Sequence, residues 1–227
     1  MLGGGLPGNY IFDQMHFHWA SEHTINSGRY ALELHMVHHE KRFESLSKAA
    51  VEKNGVAVLG ILFHVSAKPN PIIERFLTNA GSIFESPANA MTYKDDLLLQ
   101  GEIANFNHWM KTHFNNLHLF PELLPKNLTS YFRYEGSLTT PGCGEAVVWT
   151  VFEESLPISL DQVERFKSVQ ADDGQKLTHN YRSIQPLNNR ALVYVKGFVD
   201  SGVTSISNMS VILMIFSAVA SFAANKF

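Results

Sequence analysis

Residues 10–19 and 30–39 alternate polar and apolar side chains with a period of two, and Asn26-Ser27-Gly28 supplies turn residues between them. That pattern predicts two neighbouring antiparallel strands, each with one face committed to a core. The placement of histidine on these segments narrows the choice further. In Gln14-Met15-His16-Phe17-His18-Trp19, residues 14, 16 and 18 share a face; in Glu33-Leu34-His35-Met36-Val37-His38, residues 33, 35 and 37 do. If the strands pair with those faces aligned, His16, His18 and His35 converge on one point. Three protein ligands around a metal leave a coordination position open, the arrangement of a catalytic rather than a structural zinc site.

The alternative is that these are core histidines satisfied by ordinary hydrogen bonds. Gln14 and Glu33 argue against it. Each lies two residues before a candidate ligand on the same face, where it can hold a ligand's second ring nitrogen. A polar side chain on a core-facing surface is costly unless it is bonded. His23, His38, His39 and His64 carry no such pattern and are read as structural or surface residues. On a helix, the five-residue steps between His108, His113 and His118 would turn each about 140° from the last, so they share no face.

Elsewhere the apolar run 56–65 predicts a strand buried on both faces. Asn70-Pro71 opens a helical stripe of Ile73, Phe76, Leu77 and Ala80. Ser159 with Gln162 forms a capping box for a second helix, and 147–152 and 191–199 read as further strands. The expected fold class is mainly β (α+β), a large central, mostly antiparallel twisted sheet with a few peripheral helices. With 227 residues, 45% hydrophobic, the chain can build one sizeable core. A net charge of −3 without charge blocks excludes nucleic acid as an expected partner.

The end of the chain is different. Residues 211–224 are apolar and uncharged, short for a membrane helix, which needs about 20 residues. They fit the tail of a glycosylphosphatidylinositol (GPI) anchor signal, where roughly 10–20 apolar residues follow a polar spacer and small residues. Here the spacer is 203–210 and Ser201-Gly202 the attachment region; a short membrane helix that stays in place is the other reading. The expected division is therefore a domain over 1–200 and a spacer with hydrophobic tail over 201–227. Residues 1–8 lack the features of a secretory signal, so a preceding segment is expected to supply entry. Asn127-Leu-Thr129 is a glycosylation sequon.

Together with the two histidine segments, Ser21-Glu22-His23-Thr24, Ser137-Leu-Thr-Thr-Pro141, Val147-Val-Trp149, Asn180-Tyr-Arg182 and Gln185-Pro-Leu-Asn-Asn-Arg190 resemble the sequence blocks of α-carbonic anhydrases, in the family's order. Phe132 to Cys143 looks most like the extracellular, membrane-anchored branch. The resemblance implies that His16, His18 and His35 bind Zn²⁺, whose bound hydroxide converts CO₂ to bicarbonate and a proton; carbonic anhydrase is itself the established example of a His₃ site that lowers bound-water pKa to about 7. It implies that Thr139 orients the hydroxide while Glu22 accepts a hydrogen bond from Thr139. Asn180 would support the ligands along with Gln14 and Glu33. Thr140 would orient bicarbonate, and Val37, Val58, Leu138, Val147 and Trp149 would form the apolar wall for CO₂. The resemblance begins part-way into the family domain. An opening part of that domain, including its proton-shuttling histidine and the cysteine paired with the position of Cys143, is thus expected to be missing. Residues 103–119 read as an insertion. A catalytically silent extracellular binding module is the competing function. Such relatives lose a zinc histidine, whereas this chain keeps all three.

Overall fold

The computed structural model describes residues 1, 3–79, 122–168, 176–197 and the backbone of 211–212. Its centre is an eight-stranded sheet. Along the chain the strands are β1 (Tyr10–Trp19), β4 (Leu32–Glu40), β5 (Val56–Ser66), β6 (Tyr131–Gly136), β7 (Val147–Phe152), β8 (Leu156–Ser159), β9 (Val193–Val195) and β10 (Val211–Ile212), while β2 (Thr24–Ile25) and β3 (Gly28–Arg29) form a separate hairpin. Across the sheet the order is β1-β4-β5-β7-β6-β9-β10, with β8 beside β5. The ladders are antiparallel except where β7 and β8 run parallel to β5, so the mostly antiparallel expectation holds. β5 is paired on both sides and packed on both faces over most of its length, which is why its sequence is apolar rather than alternating.

The local signals in the sequence act as expected. Asn26 and Ser27 both take positive φ (51° and 64°) between paired Ile25 and Gly28, the two-residue turn whose twist suits a hairpin. Helix α2 (Pro71–Asn79) starts where Asn70 Oδ1 accepts from the amides of Ile72 and Ile73. Helix α3 (Leu160–Lys167) starts at the Ser159–Gln162 capping box. Gln162 does more than cap its own helix. Its side chain accepts from Asn70 N and donates to Asn70 O, locking the two helix starts together. A one-turn helix, α1 (Leu46–Ala49), follows β4.

The sheet's two faces bury separate apolar clusters. One face carries Met15, Phe17, Leu34, Met36, Ile61 and Phe63 against α2 and α3, where Phe17 meets Phe76 and Phe166 with ring centroids 5.0 Å away in each case. The opposite face carries Val37, Val58, Val147, Val151 and Trp149, joined by Leu138. Strand β9 is shorter than the 191–199 expected, and 198–199 lie outside the described residues. So do Ala80, the segment 103–119 with its three histidines, and the tail beyond 212. Among the described residues no helix is long and apolar enough to cross a membrane.

Candidate metal centre

The β1–β4 register decides the site. A bulge at Asp13, between the pairs Phe12↔His38 and Gln14↔Val37, resets the parity of β1 so that His16 stands directly opposite His35 and His18 opposite Glu33. Residues opposite one another in an antiparallel ladder point to the same face. The three imidazoles therefore gather on the face away from the two longer helices. Ring centroids lie 5.0 Å (His16–His18), 5.2 Å (His16–His35) and 4.5 Å (His18–His35) apart, and the ring nitrogens that could serve as ligands fall within 4.8 Å of one another.

Each ring has one nitrogen already engaged. His16 Nδ1 meets Gln14 Oε1 at 2.9 Å, His18 Nδ1 meets the carbonyl of Asn180 at 2.7 Å, and His35 Nε2 meets Glu33 Oε1 at 2.8 Å. All three partners are acceptors, so these nitrogens carry the proton in the neutral rings. His16 Nε2, His18 Nε2 and His35 Nδ1 are left presenting lone pairs. Burial, reinforced by the neighbouring imidazoles, holds His16 well below the ordinary histidine range and His18 at about 4. His18 Nε2 is buried without a hydrogen-bond partner, and so is Glu22 Oε2, 3.5 Å away; the same oxygen is 4.0 Å from His35 Nδ1. Neutral lone pairs and a carboxylate oxygen facing one another in a buried site repel unless a cation lies between them. The donor set fits a divalent metal that accepts imidazole nitrogen.

His23, Glu33 and His35 form a second convergent group, but it is closed by hydrogen bonds. Glu33 Oε1 accepts from His23 Nδ1 at 2.6 Å as well as from His35, and Oε2 accepts from the amides of Glu22 and His23, both at 2.8 Å. Burial would raise the Glu33 pKa, yet these imidazoles hold it well below the usual carboxylate range. Burial likewise opposes charge on His23, but Glu33 outweighs it and raises the His23 pKa. His23 Nε2 completes the chain to Tyr134 Oη at 2.6 Å. Sequence reasoning read His23 as a structural or surface residue, without its place beside Glu33, and did not single out Tyr134. The signal available was Glu33 itself, since a core-facing carboxylate needs more donors than one ligand imidazole supplies.

The remaining site residues are distributed as follows. Gln14, Glu33 and Asn180 each touch a ligand ring, Asn180 through its carbonyl; its side chain also bonds Trp19 N and Phe17 O, tying 180 to β1. Glu22 Oε1 accepts from Arg182 N at 2.6 Å. The expected hydrogen bond from Thr139 to Glu22 is not formed. Glu22 Oε2, the oxygen left for it, has no partner, and Thr139 lies half-buried in the bend after β6, held by Leu138 N→Gly144 O and Cys143 N→Thr140 O. Val37, Val58, Leu138, Val147 and Trp149 belong to one apolar cluster, and the Trp149 ring lies 4.8 Å from the His35 ring. Cys143 is a free thiol whose Sγ meets Thr140 O. His38 and His39 are buried, His39 bonding the bulge residue Asp13.

Comparison with known proteins agrees with this geometry. The chain is 36% identical to rat carbonic anhydrase 4 over 201 residues, covering 84% of this chain and 58% of the rat protein. It is 34% identical to putative carbonic anhydrase 5 of Caenorhabditis elegans (93% and 63% covered) and 32% identical to human carbonic anhydrase 3 (85% and 68% covered). The chain thus spans little more than half the length of several relatives it matches. The model of eukaryotic-type carbonic anhydrases matches residues 1–196, a stretch that takes in the three-histidine cluster and its supporting residues, and on that match the chain belongs to the eukaryotic-type carbonic anhydrase family.

Proposed function

We propose that this chain carries the metal centre for reversible hydration of CO₂ to bicarbonate and a proton, with Zn²⁺ held by His16 Nε2, His18 Nε2 and His35 Nδ1. The observation that carries the reading is the set of three inward, proton-free ring nitrogens whose opposite nitrogens are fixed by Gln14, Asn180 and Glu33. Zinc so bound supplies a water acidified to a pKa of about 7, the value established for carbonic anhydrases.

The chain's own residues supply orientation and exclusion of water. The outer hydrogen bonds fix the tautomer and the tilt of each imidazole, so the ligand lone pairs stay aimed inward. Glu22, anchored by Arg182, keeps one oxygen free beside His18 and His35. The family resemblance assigns Thr139, whose hydroxyl does not bond Glu22 in this structure, the role of receiving a hydrogen bond from the attacking oxygen and aiming it at the carbon of CO₂. The wall of Val37, Val58, Leu138, Val147 and Trp149 suits a substrate without a dipole moment, and Thr140 would orient bicarbonate. Bicarbonate takes the attacking oxygen, and the displaced proton leaves to solvent. The apolar stretch 211–224 and the polar spacer before it support placement at the extracellular membrane face through a GPI anchor; release by a phosphatidylinositol-specific phospholipase tests that placement.

The test is zinc content and CO₂ hydration measured on the full chain and on His35→Ala. One zinc per chain with hydration activity, both lost in a His35→Ala protein of unchanged circular dichroism, supports the reading. Stoichiometric zinc without hydration would instead favour the silent binding module.

A further inference from the structure

A second polar depression lies at the other side of the sheet. Strand β9 pairs with β6 only from Val193↔Arg133 to Val195↔Tyr131. Beyond Arg133 the 188–192 segment turns away at Asn188 (φ 52°), opening a groove of about 740 Å³ against β6 and the glycine-rich start of the chain. That volume suits a small-molecule site. Both carboxylates in the lining are already paired: Glu135 with Lys53 at 3.1 Å and Glu145 with Arg190 at 2.5 Å. Arg190 also donates to Pro186 O.

Arg133 is different. Its Nε is buried with no hydrogen-bond partner, and its guanidinium lies 5.3 Å from the centroid of the Tyr131 ring, with no carboxylate partner among the described residues. Tyr131 is itself fixed by a hydrogen bond to Gly4 O, so the ring holds the guanidinium in place. A guanidinium cannot shed its charge and presents donors in a fork matched to carboxylate and phosphate. The exposed side-chain amides of Asn188 and Asn189 line the same groove and add N–H donors.

We propose that this groove binds a small oxyanion, the carboxylate or phosphate group of a small molecule, with Arg133 as the charged anchor. The site does not depend on the metal centre, although Tyr134 lines the groove and its hydroxyl touches His23.

The experiment is a titration of the full chain, ¹⁵N-labelled at arginine, with succinate and separately with inorganic phosphate, in the presence and absence of zinc. The Arg133 Nε–H resonance is assigned by its loss in Arg133→Lys. A saturable shift of that resonance, with calorimetric affinity falling about tenfold or more in Arg133→Gln, is expected for loss of a charge-assisted hydrogen bond. The arm that saturates at lower concentration identifies the anion class. Should Arg133→Gln fail to fold, Arg133→Lys, which keeps the charge but not the fork, is expected to bind more weakly than the wild type. No saturable shift with either anion, or equal affinity in wild type and variant, overturns the site. Because saturation is expected without zinc, failure of the metal reading leaves this result unaffected.

Discussion

The proposed metal chemistry rests on residues that never touch the metal. Glu33 is fully buried, and its two oxygens take four hydrogen bonds, from His35, from the His23 ring, and from the amides of Glu22 and His23. Glutamine in its place offers one acceptor oxygen and turns an NH₂ towards existing donors. Glu33→Gln is therefore expected to weaken zinc binding about 10–100-fold, the effect typical of losing an outer partner of a ligand histidine. Competition against a chelating dye checks this; affinity within twofold of wild type would mean that Glu33 only fills space. Gln14→Ala removes a single neutral bond and should cost less.

Strands β4 and β5 place Gly60 directly opposite His35. A Cβ at this position would lie 3.1 Å from Glu33 Oε1 and 3.4 Å from Val151 Cγ2. The constraint is space rather than backbone freedom. A flexible side chain could move aside, but this carboxylate is held from four directions. Gly60→Ala is expected to destabilise the chain by about 1–3 kcal/mol, as overpacking of a core commonly does, and to weaken zinc binding by displacing Glu33. Denaturation in urea and a zinc titration on the same variant read both effects. Loss of stability with unaltered zinc affinity would show that Val151, not Glu33, yields.

Across the whole molecule, stability is linked to pH through buried histidines. His38 is 7% exposed, and burial is the main cause that pushes its pKa down from 6.5 to about 4. It is uncharged in the fold. As pH falls below 6.5 the unfolded chain takes up the proton and the folded chain does not, so the stability present above that value declines until pH about 4. Between pH 7.5 and 5 this one residue accounts for about 2 kcal/mol. Urea denaturation of wild type and His38→Gln at the two pH values should differ by that amount in their pH dependence. Parallel dependence in the two proteins would place the proton uptake elsewhere.

Much of the fold and the site was legible in the residues. The period-two pattern around His16, His18 and His35, the Asn26-Ser27 turn, the apolar run of β5 and the Ser159–Gln162 cap are short-range signals, set by side-chain alternation and backbone preference within a few positions. Gln14 and Glu33 were identifiable because polar side chains on a core face require partners. The pairings between distant segments were not legible. Asn180 was named only through the family resemblance, because it reaches His18 through a carbonyl, which any residue possesses, and Tyr134 meets His23 only because β6 joins β7 and β7 joins β5. The bulge at Asp13, which aligns His16 with His35, likewise exists only once two strands are paired. Sequence determined which residues could hold a metal, because ligand chemistry and face are local properties. Tertiary structure alone decided which nitrogen of each ring points inward, because that depends on acceptors delivered from elsewhere in the chain.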